Sequence, residues 1–137
     1  MKKTHNGYLT YELPDHWEIE EVDGSITLYD PDGEGAITMS FFNVFPSAGS
    51  IEERLAVLAS NFIRENKIKM DMPLMVHTRK DGNTHLWGTG KDQEGFFLKI
   101  WGVAKRPKMV FATYFSEQKT DEVAICDSII DSFTLDV

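Results

Sequence analysis

The chain has 137 residues, 42% of them hydrophobic, and a net charge of −8. That length fits one domain over residues 1–137, large enough to bury a core without a disulfide or metal staple. The charge argues against nonspecific binding to nucleic acid or anionic lipid, and the lone Cys126 excludes an internal disulfide.

Tyr8 to Leu13 alternates as a strand that Pro14 ends. Trp17 to Val22 and Ile26 to Tyr29 read as strands joined by Asp23-Gly24, a favoured hairpin pair. Asp30-Pro31-Asp32-Gly33 is a second turn, and Ala36 to Val44 a further strand. Pro46, Ser47, Gly49 and Ser50 then break the pattern. Ser50 and Glu53 have the spacing of a capping box for a helix ending near Asn66 or Lys67. Ile51, Leu55, Leu58, Ala59 and Phe62 form its apolar face.

Pro73 to Thr78 reads as a strand and Lys80 to Asn83 as a turn. Thr84 to Gly90 and Phe96 to Ala104 make a hairpin across Lys91 to Gly95. Met109 to Ser116 follows the basic turn Lys105-Arg106-Pro107-Lys108. One face of Phe96 to Ala104 presents Phe97, Trp101 and Val103, and the other Phe96, Leu98, Ile100 and Ala104. In the next strand Val110, Ala112 and Tyr114 oppose Met109, Phe111 and Phe115. Strands apolar on both faces need cover on both. A second helix, capped by Thr120 and burying Val123, Cys126, Ile129, Ile130 and Phe133, supplies it, with a terminal strand over Thr134 to Val137. The expected fold is therefore α+β: an α/β/α sandwich with a central, largely antiparallel sheet and a helix on each face.

Leu13-Pro14 followed by Trp17, a strand, Asp30-Pro31-Asp32-Gly33, a strand and a capped helix resembles the opening of the PsbP-like and Mog-type proteins. The closing helix into Ile130-Asp131-Ser132-Phe133 is similar to their last helix. The order of elements matches over nearly the whole chain, and the resemblance is to a bacterial, uncharacterised branch of that superfamily. His16 departs from the glycine that many members carry before the tryptophan. The resemblance implies an α/β/α sandwich and, for most members, protein binding rather than catalysis.

Charge is unevenly placed. No Lys or Arg lies between Thr4 and Glu53, whereas Arg64 to Lys119 holds eleven basic residues against six acidic ones. Glu20, Glu21, Asp23, Asp30 and Asp32 are the candidate binding residues, lying together on one edge to steer a basic protein partner. The bland alternative is a solvated acidic face.

Other constellations are weaker. Asp30, Asp32, Glu34, Gly35 and Ile37 fit the start of a calcium loop, but Phe41 stands where the closing glutamate belongs. Gly88-Thr89-Gly90-Lys91 lacks the spacing of a phosphate loop and reads as a hairpin turn. Cys126, on an apolar helix face, reads as core rather than nucleophile. The four histidines show no paired ligand spacing, although His77 and His85 face each other across the Lys80 to Asn83 turn, where a loose surface metal contact fits. The tryptophans Trp17, Trp87 and Trp101 read as packing residues. The expectation is a non-enzymatic, cytoplasmic protein-binding module (an adaptor, chaperone or immunity-type partner) with no cofactor, no metal, no nucleic acid and no membrane. The alternative, from another class, is a small-ligand or metal-binding domain with a pocket between sheet and helix. An unrecognised enzyme stands third.

Overall fold

The computed structural model describes residues 1–5, 7–43 and 49–135. Val44, Pro46 and Ser47, and the end of the last strand, fall outside them.

Backbone alternation sets the strands. They are β1 (Lys2–His5), β2 (Leu9–Glu12), β3 (Glu18–Val22), β4 (Ser25–Tyr29), β5 (Ala36–Asn43), β6 (Lys69–Met70), β7 (Met75–Thr78), β8 (Thr84–Lys91), β9 (Phe97–Lys105), β10 (Lys108–Ser116) and β11 (Thr134–Leu135). Helix α1 spans Ile51–Glu65 and α2 spans Glu122–Asp131. The large sheet runs β3-β4-β5-β10-β9-β8-β6, with β7 also paired to β8, and every pairing is antiparallel. A small sheet joins β1, β2 and β11. The fold is thus α+β, with two helices and a large antiparallel sheet.

The period-two split of the central strands sorts the core. Phe97, Trp101 and Val103 of β9 and Val110, Ala112 and Tyr114 of β10 join one buried cluster. That cluster holds Ile26, Leu28, Ile37 and Met39, the inner face of β2, and Val123, Cys126, Ile129 and Ile130 of α2. Leu98, Ile100, Ala104, Met109 and Phe111 join the other, with Leu55 and Ala59 of α1. Phe96 precedes β9 and is exposed, so it leaves the face assigned to it.

Both helix starts follow from their polar side chains. The Ser50 hydroxyl accepts from the Glu53 amide at 3.1 Å, satisfying one orphan donor of α1. At α2 the cap shifts by one residue: Asp121 holds the position, while Thr120 Oγ1 accepts from the Glu122 amide at 3.3 Å. Glu122 has a larger task. Its carboxylate accepts from the Gly35 amide at 3.0 Å, the Glu34 amide at 3.3 Å and the Tyr114 hydroxyl at 2.8 Å. One side chain therefore ties the start of α2 to the β4–β5 turn and to β10.

The Gly88-Thr89-Gly90-Lys91 segment lies inside β8 rather than in a turn, and the hairpin turn follows it. Glycine serves a close crossing there. A Cβ on Gly90 would meet the Lys69 carbonyl oxygen of β6 at 2.6 Å. Among the described residues no helix is long and apolar enough to cross a membrane.

Candidate functional site

Of the five acidic residues expected to bind, Glu20, Glu21 and Asp23 lie on or just beyond one margin of the large sheet, and Asp30 and Asp32 lie in the turn between β4 and β5. β3 is the edge strand of that sheet, and Glu20, Glu21 and Asp23 are exposed. Asp23 and Gly24 take positive φ values of 49° and 82°, the backbone of a two-residue primed turn. Asp30 and Asp32 occupy the turn after β4, at the other end of the hairpin, about 17 Å away at the ordinary strand rise. The five fall into two groups at opposite ends of the β3–β4 hairpin rather than into one cluster. Tyr29 donates to Glu20 Oε1 at 3.0 Å. Its hydrogen bonds to Glu18 and Glu20 push the phenol pKa up to about 12. Asp30 is committed to its turn: Oδ1 accepts from the Asp32 amide at 2.9 Å, and its carboxylate lies 3.2 Å from His16 Nε2.

A second constellation lies beside α2. The β7–β8 register places His77 directly opposite His85, as the turn length suggested. Trp87 pairs across strands with Trp101. These residues, with Arg79, Leu86, Lys99, Asp127 and Asp131, enclose a pocket of about 340 Å³. Its polar walls are internally paired. Arg79 Nη2 lies 2.5 Å from Asp131 Oδ1, and Arg79 Nη1 donates to the Asp131 carbonyl at 3.1 Å. Lys99 Nζ lies 2.7 Å from Asp127 Oδ1, which also accepts from Trp101 Nε1 at 3.0 Å. The Lys99 ammonium lies 5.5 Å from the Trp101 ring centroid.

His85 is different. It is only 5% exposed, and Nε2 has no hydrogen-bond partner. Just before β8, Asn83 Oδ1 is also buried without a partner, although Asn83 Nδ2 donates to the Phe133 carbonyl at 3.3 Å. A buried unpaired polar atom costs roughly 1–3 kcal/mol, so such atoms call for an explanation. Burial, followed by the field of Arg79, lowers the His85 pKa to about 4. The ring is neutral at pH 7 and offers one donor and one acceptor nitrogen. With the neutral imidazole of His85, the exposed ring of His77, two closed ion pairs and two indoles, the pocket suits an uncharged group that stacks and makes hydrogen bonds.

Sequence reasoning found the His77–His85 pair but not Arg79, Lys99, Asp127 or Asp131. The opposite-charge pairs join residues 52 and 28 positions apart. Among the described residues, no three His, Cys, Asp or Glu side chains come together as a metal site. Cys126 is fully buried on the inner face of α2, and burial, then Glu122 and Asp127, push its thiol pKa up to about 12. That suits a core residue rather than a nucleophile.

No family model and no curated protein matches the chain. Solved structures do. The solution structure of cyanobacterial PsbP (CyanoP) from Synechocystis sp. PCC 6803 superposes with a TM-score of 0.76 at 10% identity, covering 98% of this chain and 91% of that one. The fold is PsbP-like. A crystal structure from Bacteroides thetaiotaomicron matches with a TM-score of 0.58 at 15% identity. It covers 98% of this chain, which spans about half of that longer one. At such identities the likeness concerns the fold, and function rests on the site.

Proposed function

We propose that this chain acts by binding rather than by turnover, and that it receives an uncharged, ring-bearing polar group in the pocket beside α2. The observation that carries the reading is the buried, unpartnered Nε2 of His85 among the pocket-lining residues. Paired charges around it leave little net field, so an ionic ligand would have to displace Asp127 or Asp131 from its cation. The reading takes the architecture as an α/β/α sandwich of the PsbP-like and Mog-type kind. Support for that comes from the separate buried clusters that hold α1 and α2. It also takes the setting as cytoplasmic.

The test is a two-dimensional NMR titration of the purified protein with p-cresol and a methyl glucoside, against acetate and methylammonium. The neutral probes should shift the Trp87 and Trp101 indole signals, with about tenfold weaker binding in His85→Phe, the size of one lost hydrogen bond. Equal shifts from all four probes, or none from the neutral pair, would reject the reading.

A second reading, a basic protein docking along β3, is favoured by the exposed, lysine- and arginine-free edge.

A further inference from the structure

A second cavity lies between the start of the small sheet and the β3–β4 hairpin. The β3–β4 register sets Glu21 opposite Ile26, and the β4–β5 register sets Ile26 opposite Met39. Phe41, two residues further along β5, therefore shares their face. His5 ends β1 and Tyr8 precedes β2, and both rings lie over that face. With Gly24 at the hairpin turn, these residues enclose about 330 Å³, within the range of small-molecule sites.

Its chemistry differs from that of the pocket beside α2, where the charges are closed into pairs. Here Glu21 takes part in no ion pair among the described residues. The hydroxyls around it are committed. Tyr8 donates to the Phe42 carbonyl and accepts from the Met109 amide at 3.1 Å. Thr4 Oγ1 lies 3.3 Å from Thr10 Oγ1, and His5 Nε2 lies 2.8 Å from the Tyr11 hydroxyl. Burial lowers the His5 pKa against the field of Glu21, so that ring brings no positive charge at pH 7. What the cavity offers is one carboxylate and three rings set at angles. Tyr8 meets Phe41 at 75° with centroids 5.3 Å apart, and His5 meets Phe41 at 57° and 6.4 Å.

Ring faces attract cations. Tyr8 already holds one: the Lys108 ammonium lies 4.7 Å from its centroid and donates to the Gly7 carbonyl at 3.1 Å. Lys108 is not part of the cavity wall. Lys3, the nearest cation along β1, has its ammonium 3.5 Å from the Met1 sulfur. Asp23, exposed beside Gly24, adds negative charge at the hairpin end. A primary ammonium brings three donors, for which the committed hydroxyls leave too few partners. A quaternary ammonium brings none and lays its methyl groups against rings and the Ile26 side chain.

We propose that this cavity binds a quaternary ammonium group, held against the rings of His5, Tyr8 and Phe41 with its charge facing Glu21. The site is separate from the pocket beside α2 and does not rest on it.

The experiment is a two-dimensional NMR titration of the purified chain with choline, methylammonium and the uncharged analogue of choline in which carbon replaces nitrogen. Choline should move the Glu21 and Gly24 amides and the Tyr8 and Phe41 ring signals, and leave the Trp101 indole in place. Methylammonium and the neutral analogue should each bind about tenfold more weakly. Glu21→Gln, an exposed change on an edge strand, should weaken choline binding about tenfold and leave the rest of the spectrum unaltered. A further arm separates two sources of the same group. Sedimentation with phosphatidylcholine vesicles, lost in Glu21→Gln, supports the site with a lipid headgroup as its ligand, whereas choline binding without sedimentation supports it with a free amine. Equal binding of choline and methylammonium would reduce Glu21 to an ordinary surface charge and overturn the proposal. Equal binding of choline and its neutral analogue would do the same by showing an apolar patch without cation recognition. No shift with choline, or one confined to the indoles of the other pocket, also overturns it.

Discussion

His85 shows how one side chain ties stability to pH. Its pKa falls from 6.5 to about 4 because burial, and then Arg79, disfavour the imidazolium. Between those values the unfolded chain binds a proton that the folded chain refuses. Stability from this group is therefore complete above pH 6.5, declines as pH falls, and levels off below about pH 4. The span corresponds to at most about 3 kcal/mol. Urea titrations from pH 7.5 to 4 should show a shallower decline in His85→Phe than in the parent. Parallel declines would mean that the ring is protonated in the fold. Trp101 makes the other prediction at this scale. It is 4% exposed in the core cluster shared with α2, and its indole donates to Asp127. Trp101→Ala should cost about 3–5 kcal/mol in a denaturant titration. A loss below about 1 kcal/mol would mean that the side chain is solvated rather than packed.

At the scale of elements, the join between α2 and the β4–β5 turn hangs on Glu122. Replacing it with alanine strands the Gly35 and Glu34 amides and the Tyr114 hydroxyl together. Burial and that carboxylate hold the Tyr114 pKa at about 12. Glu122→Ala should destabilise the protein by roughly 1–3 kcal/mol and lower the Tyr114 pKa, read by ultraviolet titration. An unmoved tyrosine titration would show that the contact does not persist in solution. The strands themselves were legible because apolar residues alternate in β2 and β4 and run almost unbroken through β9 and β10, and turn residues separate them. β1 was missed because Lys2-Lys3-Thr4-His5 has no apolar alternation and is held by pairing with β2. β6 was missed because two residues carry no period. The pocket was half legible. A short turn fixes His77 against His85, but Lys99 meets Asp127 only after a helix folds back over a sheet.

Across the whole molecule, acidic charge is concentrated on one edge strand of the large sheet. Glu20, Glu21 and Asp23 are exposed on or just beyond β3, while the opposite edge at β7 carries no such guard. If β3 docks a basic partner, the field of these carboxylates speeds encounter, and raising salt slows association more than it hastens release. Neutralising them as Glu20→Gln, Glu21→Gln and Asp23→Asn should leave the fold intact. Asparagine suits the positive φ of position 23, and glutamine at 20 still offers Tyr29 an acceptor. Association measured against ionic strength, with a basic partner captured on the parent protein, should show a smaller salt slope and a slower on-rate in the triple variant. A parent on-rate that ignores both salt and the substitutions removes docking as the role of this edge. The charges would then serve to keep copies of the sheet apart, and the triple variant would self-associate in sedimentation at concentrations where the parent does not.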